Sequence, residues 1–142
     1  LPIYQSKRNL LENYFNFIEK EEAVNKERGL FISEPKKVDS HYSIYQDRNG
    51  THIFANNDLD LMPHLGELTA IGVSQWMLDG LFTPGENFVA IAKLFVEARE
   101  ALAEGNWTEA LAERLDTELH ALHPANRELD SGFYSKDPNE VV

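Results

Sequence analysis

Cysteine is absent from this 142-residue chain. Its absence excludes a disulfide scaffold, a thiolate zinc site and a cysteine nucleophile, and it suits a reducing compartment. Long apolar runs are missing as well. The least polar stretch of helical length, Leu65 to Phe82 (LGELTAIGVSQWMLDGLF), is interrupted by Glu67, Gln75 and Asp79, whereas a bilayer span needs ~20 mostly apolar residues. No charged segment leads into a short apolar one at the start, so the chain reads as cytoplasmic with no membrane contact; it begins at Leu1 rather than Met, which leaves an upstream signal open.

Linear motifs of known chemistry are also lacking. There is no G-x-G-x-x-G, G-x-x-x-x-G-K-[ST], G-x-S-x-G, H-E-x-x-H or E-x-x-H, which removes the nucleotide-binding, nucleophile-elbow, zinc-peptidase and carboxylate-bridged di-iron signatures. No catalytic residue, metal or cofactor is therefore assigned. Basic residues are few: 13 Lys and Arg stand against 24 Asp and Glu, a net charge of −11. The first fifty residues are balanced, with eight of each sign, while residues 51–142 hold five basic and sixteen acidic side chains. Such a surface repels nucleic acid and anionic lipid and attracts cationic partners.

Against these absences stand 42% hydrophobic residues, enough for one domain spanning 1–142 with a single core. The expected class is α+β, mainly helical, with about four helices and one β-hairpin or small antiparallel sheet. Ser6 would cap a first helix running to about Arg28, with Leu10, Tyr14, Phe17, Ile18 and Val24 as its apolar stripe and Gly29 as its stop. His41 to Asn56 carries the β signal, two runs rich in Tyr, Ile, Thr and Phe around Asp47-Arg48-Asn49-Gly50. A tight loop on Asn49-Gly50 would pair Tyr45 with Phe54, and a longer one would pair Ile44 with Ile53; Leu30 to Ser33 could extend the sheet. The stretch 65–82 is apolar nearly all round and reads as a buried central helix, with Gly72 allowing a close crossing.

A helical hairpin over 84–123 follows. Thr83, Pro84 and Glu86 form a capping box, and Phe88, Ile91, Ala92, Phe95, Ala98 and Leu102 face inward before Gly105. Asn106 and Glu109 repeat the capping logic for a last helix burying Leu111, Leu115, Leu119 and Leu122 and stopping at His123 before Pro124. Residues 124–142 read as a partly irregular tail that Leu129, Phe133 and Tyr134 could pin down.

The histidines are the first candidates for acid–base or metal chemistry. Asp116, His120 and His123 are spaced to share part of the last helix surface, yet the inward leucines turn His120 to the opposite side, so these three read as a wet acidic face. His52, Asp58 and His64 form a second grouping around the hairpin and loop, with Asp47 and Asp60 near them in sequence. The feature with a direction is the acidic helical pair. Glu97, Glu100 and Glu104 line one helix, and Glu109, Glu113 and Asp116 line the next. Carboxylates one turn apart stand ~5.4 Å apart along a helix, and two such stripes approach the charge spacing of a nucleic-acid strand, one phosphate per ~3.4 Å.

Phe95 to Asn126, through Gly105, Trp107, Glu109-Ala110-Leu111 and Pro124, locally resembles a tetratricopeptide repeat in a single copy, with a second helix about two residues longer than the repeat's. That resemblance implies an adaptor gripping a peptide. The leading expectation is instead a non-enzymatic acidic binding module that neutralises a basic protein partner, of immunity-protein, antitoxin or nucleic-acid-mimic type, through Glu97, Glu100, Glu104, Glu109, Glu113 and Asp116. It carries no direct nucleic-acid contact, and Tyr4, Phe31 and Trp107 are candidates for a homodimer surface. A small enzyme or metal-binding protein using histidine and carboxylate side chains is the third reading.

Overall fold

The computed structural model describes residues 2–19, 29–81 and 83–140. They form an α+β arrangement of four α-helices, a four-stranded antiparallel sheet and a two-stranded parallel pairing. The chain divides into two compact units, residues 1–57 and 58–142.

In the first unit the strands are β1 (Pro2–Ser6), β2 (Leu30–Glu34), β3 (Lys37–Asp47) and β4 (Gly50–Phe54), in the order β1-β4-β3-β2. Strand β1 is unexpected, and Ser6 lies in it rather than capping a helix. The hairpin takes the Ile44–Ile53 register and continues it to Asp47–Gly50, leaving Arg48 and Asn49 at the turn. Only the glycine of the Asn49-Gly50 pair has positive φ, +112°. It must be glycine for a second reason: a Cβ at Gly50 would stand 1.9 Å from the Ser6 carbonyl oxygen.

Helix α1 (Leu10–Phe17) is shorter than expected among the described residues, and the expected extension over 20–28 lies outside them. The sheet caps it. The buried Thr51 hydroxyl accepts the Leu10 N–H at 3.0 Å and donates to the Arg8 carbonyl at 2.8 Å, while Gln46 Oε1 accepts the Leu11 N–H at 2.9 Å. Two orphan donors of the first turn are thereby satisfied.

The second unit opens with β5 (Asp58–Leu59), pairing in parallel with β6 (Leu129–Asp130), and a 3₁₀ turn over Met62–His64. Helix α2 covers only Leu65–Ala70, so the expected buried helix over 65–82 is corrected here. The reason is a Schellman stop: Gly72, at φ +98°, donates to Thr69 O, and Val73 donates to Leu68 O at 3.0 Å. Among the described residues, nothing beyond its own neighbours along the chain lies within 4 Å of where a Cβ at Gly72 would be, so this glycine ends a helix and no close crossing is seen at it. Beyond it residues 73–80 have no regular secondary structure, and the Leu81 N–H turns back onto Asp79 Oδ1 at 3.0 Å.

Helices α3 (Gly85–Ala103) and α4 (Glu109–Leu122) form the helical hairpin. Gly105, at φ +73°, closes α3 by the same Schellman pattern, with Asn106 N–H on Ala101 O and Gly105 N–H on Leu102 O. The caps differ from expectation: Pro84 precedes α3 without a side-chain cap, and Thr108, rather than Asn106, caps α4 by accepting the Leu111 N–H at 3.1 Å. The core joins Met62, Leu65, Ile91, Leu94, Ala98, Leu115 and Leu119, with Trp76, Phe95, Leu102, Trp107 and Leu129 packed on it. Trp107 is consequently no free surface aromatic; its ring closes over Gly66.

Candidate functional site

Strand β5 and the C-terminal half of α4 build a compact polar group in the second unit. Asp58 and Asp60 flank Leu59 on β5 and just past it, and α4 contributes Asp116, His120 one turn on, and His123 at its C-cap. After Pro124 a turn closed by the Arg127 N–H on Pro124 O returns Arg127 toward β5. Residues distant in sequence therefore meet because β5 and β6 pair, the Asp58 N–H on Glu128 O and the Asp60 N–H on Asp130 O, each at 2.8 Å.

Asp60 is buried. Its Oδ1 accepts the Met62 N–H at 2.8 Å, which starts the 3₁₀ turn, and its Oδ2 lies 3.4 Å from His120 Nε2. His120 is also 3.6 Å from Asp116 Oδ1, and one ligand atom from each of Asp60, Asp116 and His120 falls within 4.8 Å of the others. Burial pushes the Asp60 carboxyl up to about 6, and the hydrogen bond to Asp116 pushes in the same direction. While protonated, Asp60 can donate a hydrogen bond to the Asp116 carboxylate. The donor set, two carboxylate oxygens and an imidazole, is of the kind that holds a divalent cation.

Beside it, Arg127 grips Asp58 with Nε and Nη2, both at 2.7 Å. Burial pushes the Asp58 carboxyl upward, yet the Arg127 hydrogen bonds and charge outweigh it and hold it below the ordinary range. His123, its side chain 9% exposed, has Nε2 at 3.3 Å from Asp58 Oδ2; burial lowers its pKa more than Asp58 raises it. A cleft of about 340 Å³ opens here, lined by His120, His123, Pro124, Arg127 and Leu129 among others. The group thus pairs a charged, clamped half with a half whose buried Asp60 carboxyl is pushed up to about 6.

The sequence-derived candidates fare differently. Asp116 and His123 are not a wet face: they turn toward β5, which the helical wheel of α4 alone could not show. His52 pairs with Asp47 at 3.1 Å, His64 lies 3.6 Å from Glu67 and stacks on Tyr134 at 4.4 Å between centroids, and Asp58 belongs to Arg127. On the acidic stripe Glu97 is ion-paired with Arg114, which also holds Glu118 at 2.7 Å, and Glu104 accepts from Asn106 at 3.3 Å. Glu100, Glu109 and Glu113 stand exposed. Asp60 is the member that sequence reasoning leaves out of the site; its only signal there is the alternation Asp58-Leu59-Asp60, which puts two carboxylates on one side of an extended chain.

The sequence profile of peptidase family U32 matches residues 6–142. Over 139 residues the chain is 34% identical to a Bacillus subtilis (strain 168) protein named tRNA hydroxylation protein P2, a match covering 95% of this chain and 45% of that relative. No solved structure matches. These findings correct the leading expectation from sequence: an inhibitor, immunity protein, antitoxin or nucleic-acid mimic is not what this family and relative represent. The acidic composition that suggested it describes a surface and identifies no partner.

Proposed function

Because the chain belongs to peptidase family U32, we propose that it takes part in the hydroxylation of tRNA. The observation that carries this reading is the 34% identity, over 95% of the chain, to a relative named for that process. The chain spans 45% of the relative's length, so the activity of the whole protein is part of the proposal. No described helix is long and apolar enough to cross a membrane, and work on tRNA would place the protein in the cytoplasm.

Within this reading the Asp60, Asp116 and His120 group is the candidate chemical centre of the second unit. A carboxyl that titrates near 6 beside an imidazole can take up and release a proton close to neutral pH. The neighbouring Asp58–Arg127 clamp holds β5 and the residues after α4 in register around the cleft.

The test is genetic and chemical. Deleting the gene in its source organism should lower the hydroxylated nucleosides in digested tRNA, read by mass spectrometry as the forms one oxygen atom heavier. The wild-type gene should restore them and one encoding Asp60→Asn should not. Unchanged nucleosides after deletion would overturn the reading. The family's description and the adjacent carboxyls favour one second reading, a peptidase using Asp60 and Asp116. Cleavage of a denatured protein substrate, abolished by Asp60→Asn, would put that reading first.

A further inference from the structure

Three donor groups converge where α4 passes the end of β5, and their hydrogen bonding is incomplete. The Asp60 side chain is only 6% exposed; its Oδ1 is satisfied by the Met62 N–H, while its Oδ2 faces His120. Asp116 Oδ1 is itself enclosed, yet no hydrogen-bond donor reaches it. His120 Nε2 stands 3.4 Å from Asp60 Oδ2 and 3.6 Å from Asp116 Oδ1, beyond the ~2.7–3.2 Å of a well-formed N–H···O bond. A buried carboxylate oxygen without a donor costs free energy unless something positive lies against it.

The spacing says what fits. Donor atoms each ~2.1 Å from a four-coordinate ion stand ~3.4 Å from one another, close to both distances from His120. One ligand atom from each of the three residues falls within 4.8 Å of the others, so a single ion touches all three after small side-chain rotations. The supports are firm: Asp60 is tied by its own N–H to Asp130 O, and Asp116 and His120 stand one turn apart on α4. The His120 side chain is 52% exposed, which leaves one flank of the group open to water. Three protein ligands and a water make the open kind of site rather than a closed structural one. One nitrogen and two oxygens, with no thiolate, suit Zn²⁺ or Mn²⁺ better than Ca²⁺ or Mg²⁺, whose shells are all oxygen.

We propose that Asp60, Asp116 and His120 bind one divalent transition-metal cation, of the Zn²⁺ or Mn²⁺ class, with water completing its shell. A proton on Asp60 competes for the same oxygens, and the bound ion holds that carboxyl ionised. For its purpose the ion rests on the reading of these residues as a chemical centre; its binding rests on the donor geometry alone.

The test strips the 142-residue chain with a chelator, then equilibrates it with Zn²⁺ or Mn²⁺ near neutral pH. At least one of the two should be retained through gel filtration at one ion per chain by elemental analysis. The unfolding midpoint read by tryptophan fluorescence should rise by at least ~3 °C over the metal-free chain. Asp60→Asn and His120→Ala should each weaken uptake at least ~tenfold and lose that rise. Their metal-free midpoints, no lower than wild type for Asp60→Asn and near it for His120→Ala, show that the fold is intact. Glu100→Gln, an exposed carboxylate on α3 outside the group, should bind like wild type. Retention of neither ion, uptake that survives Asp60→Asn, or uptake weakened equally by Glu100→Gln would overturn the proposal, the last two because the ion would then be coordinated elsewhere on the surface. No tRNA enters this experiment, so metal binding and the nucleoside assay fail or succeed separately.

Discussion

Replacing Asp60 by asparagine should stabilise the second unit, and by an amount that depends on pH. Asp60 is buried, faced by Asp116 and His120, and its carboxyl is pushed from the ordinary 3.8 up to about 6. A carboxyl whose pKa is higher folded than unfolded binds protons more tightly in the folded state. Its contribution is fully present below about pH 4 and is lost as pH rises through about 6. The interval corresponds to about 3 kcal/mol at about pH 8, and to about 1 kcal/mol at about pH 4.5. In the Asp60→Asn variant the amide keeps a carbonyl for the Met62 N–H and offers an N–H to Asp116, as the protonated acid does. The lost attraction to His120, half exposed, trims the gain only slightly. Both tryptophans of the chain, Trp76 and Trp107, pack on the core of this unit, so urea unfolding followed by their fluorescence reports on it directly. The variant should exceed wild type by up to about 3 kcal/mol at about pH 8, with the gap narrowing in acid. A variant less stable at about pH 8, or a gap indifferent to pH, would refute this account of Asp60.

Arg127→Ala should act in the opposite sense. It leaves the half-buried Asp58 charge without its clamp, at a cost of about 3–5 kcal/mol near neutrality. The cost should shrink in acid, because a carboxyl held low contributes stability above its ordinary pKa and loses it as pH falls; the same tryptophan signal measures both limbs. Gly50→Ala should destabilise the sheet by about 2–4 kcal/mol, since its Cβ meets the Ser6 backbone and φ is positive. Gly72→Ala, also at positive φ but with open space around it, should cost only about 1 kcal/mol. Thermal unfolding of the two variants side by side separates backbone strain from collision.

The α+β class, the hairpin and the paired helices are legible in the sequence because each rests on local chemistry: β-rich runs around Asn49-Gly50, and a glycine stop at Gly105. The stretch 65–82 misleads because a run apolar on every side satisfies both helix and strand. Gly72 does not decide it from sequence, since Gly-Val after Leu68 is as good a Schellman stop as a packing notch. The candidate site is half legible. His120 and Asp116 announce themselves by spacing, but their partner Asp60 arrives through a two-residue strand pairing with the residues after α4, and a parallel contact between segments so far apart in the chain leaves no periodic trace.

The acidic charge also bears on the tRNA reading. Counting carboxylates treats each as free to meet a partner, but here Glu97 and Glu118 are held by Arg114, Asp58 by Arg127, and Asp60 keeps its proton until pH passes about 6. What remains exposed, including Glu100, Glu109 and Glu113, still faces RNA phosphates with the wrong sign, and residues 51–142 hold only five basic side chains. Phosphate contacts supply most nonspecific RNA affinity and make it fall steeply with salt. The isolated chain should therefore bind bulk tRNA weakly at physiological salt and show little salt dependence in a filter-binding or fluorescence titration. Tight binding whose affinity drops with a steep salt slope would mean that a basic surface within these residues grips the RNA. The tRNA-holding role would then belong to these residues.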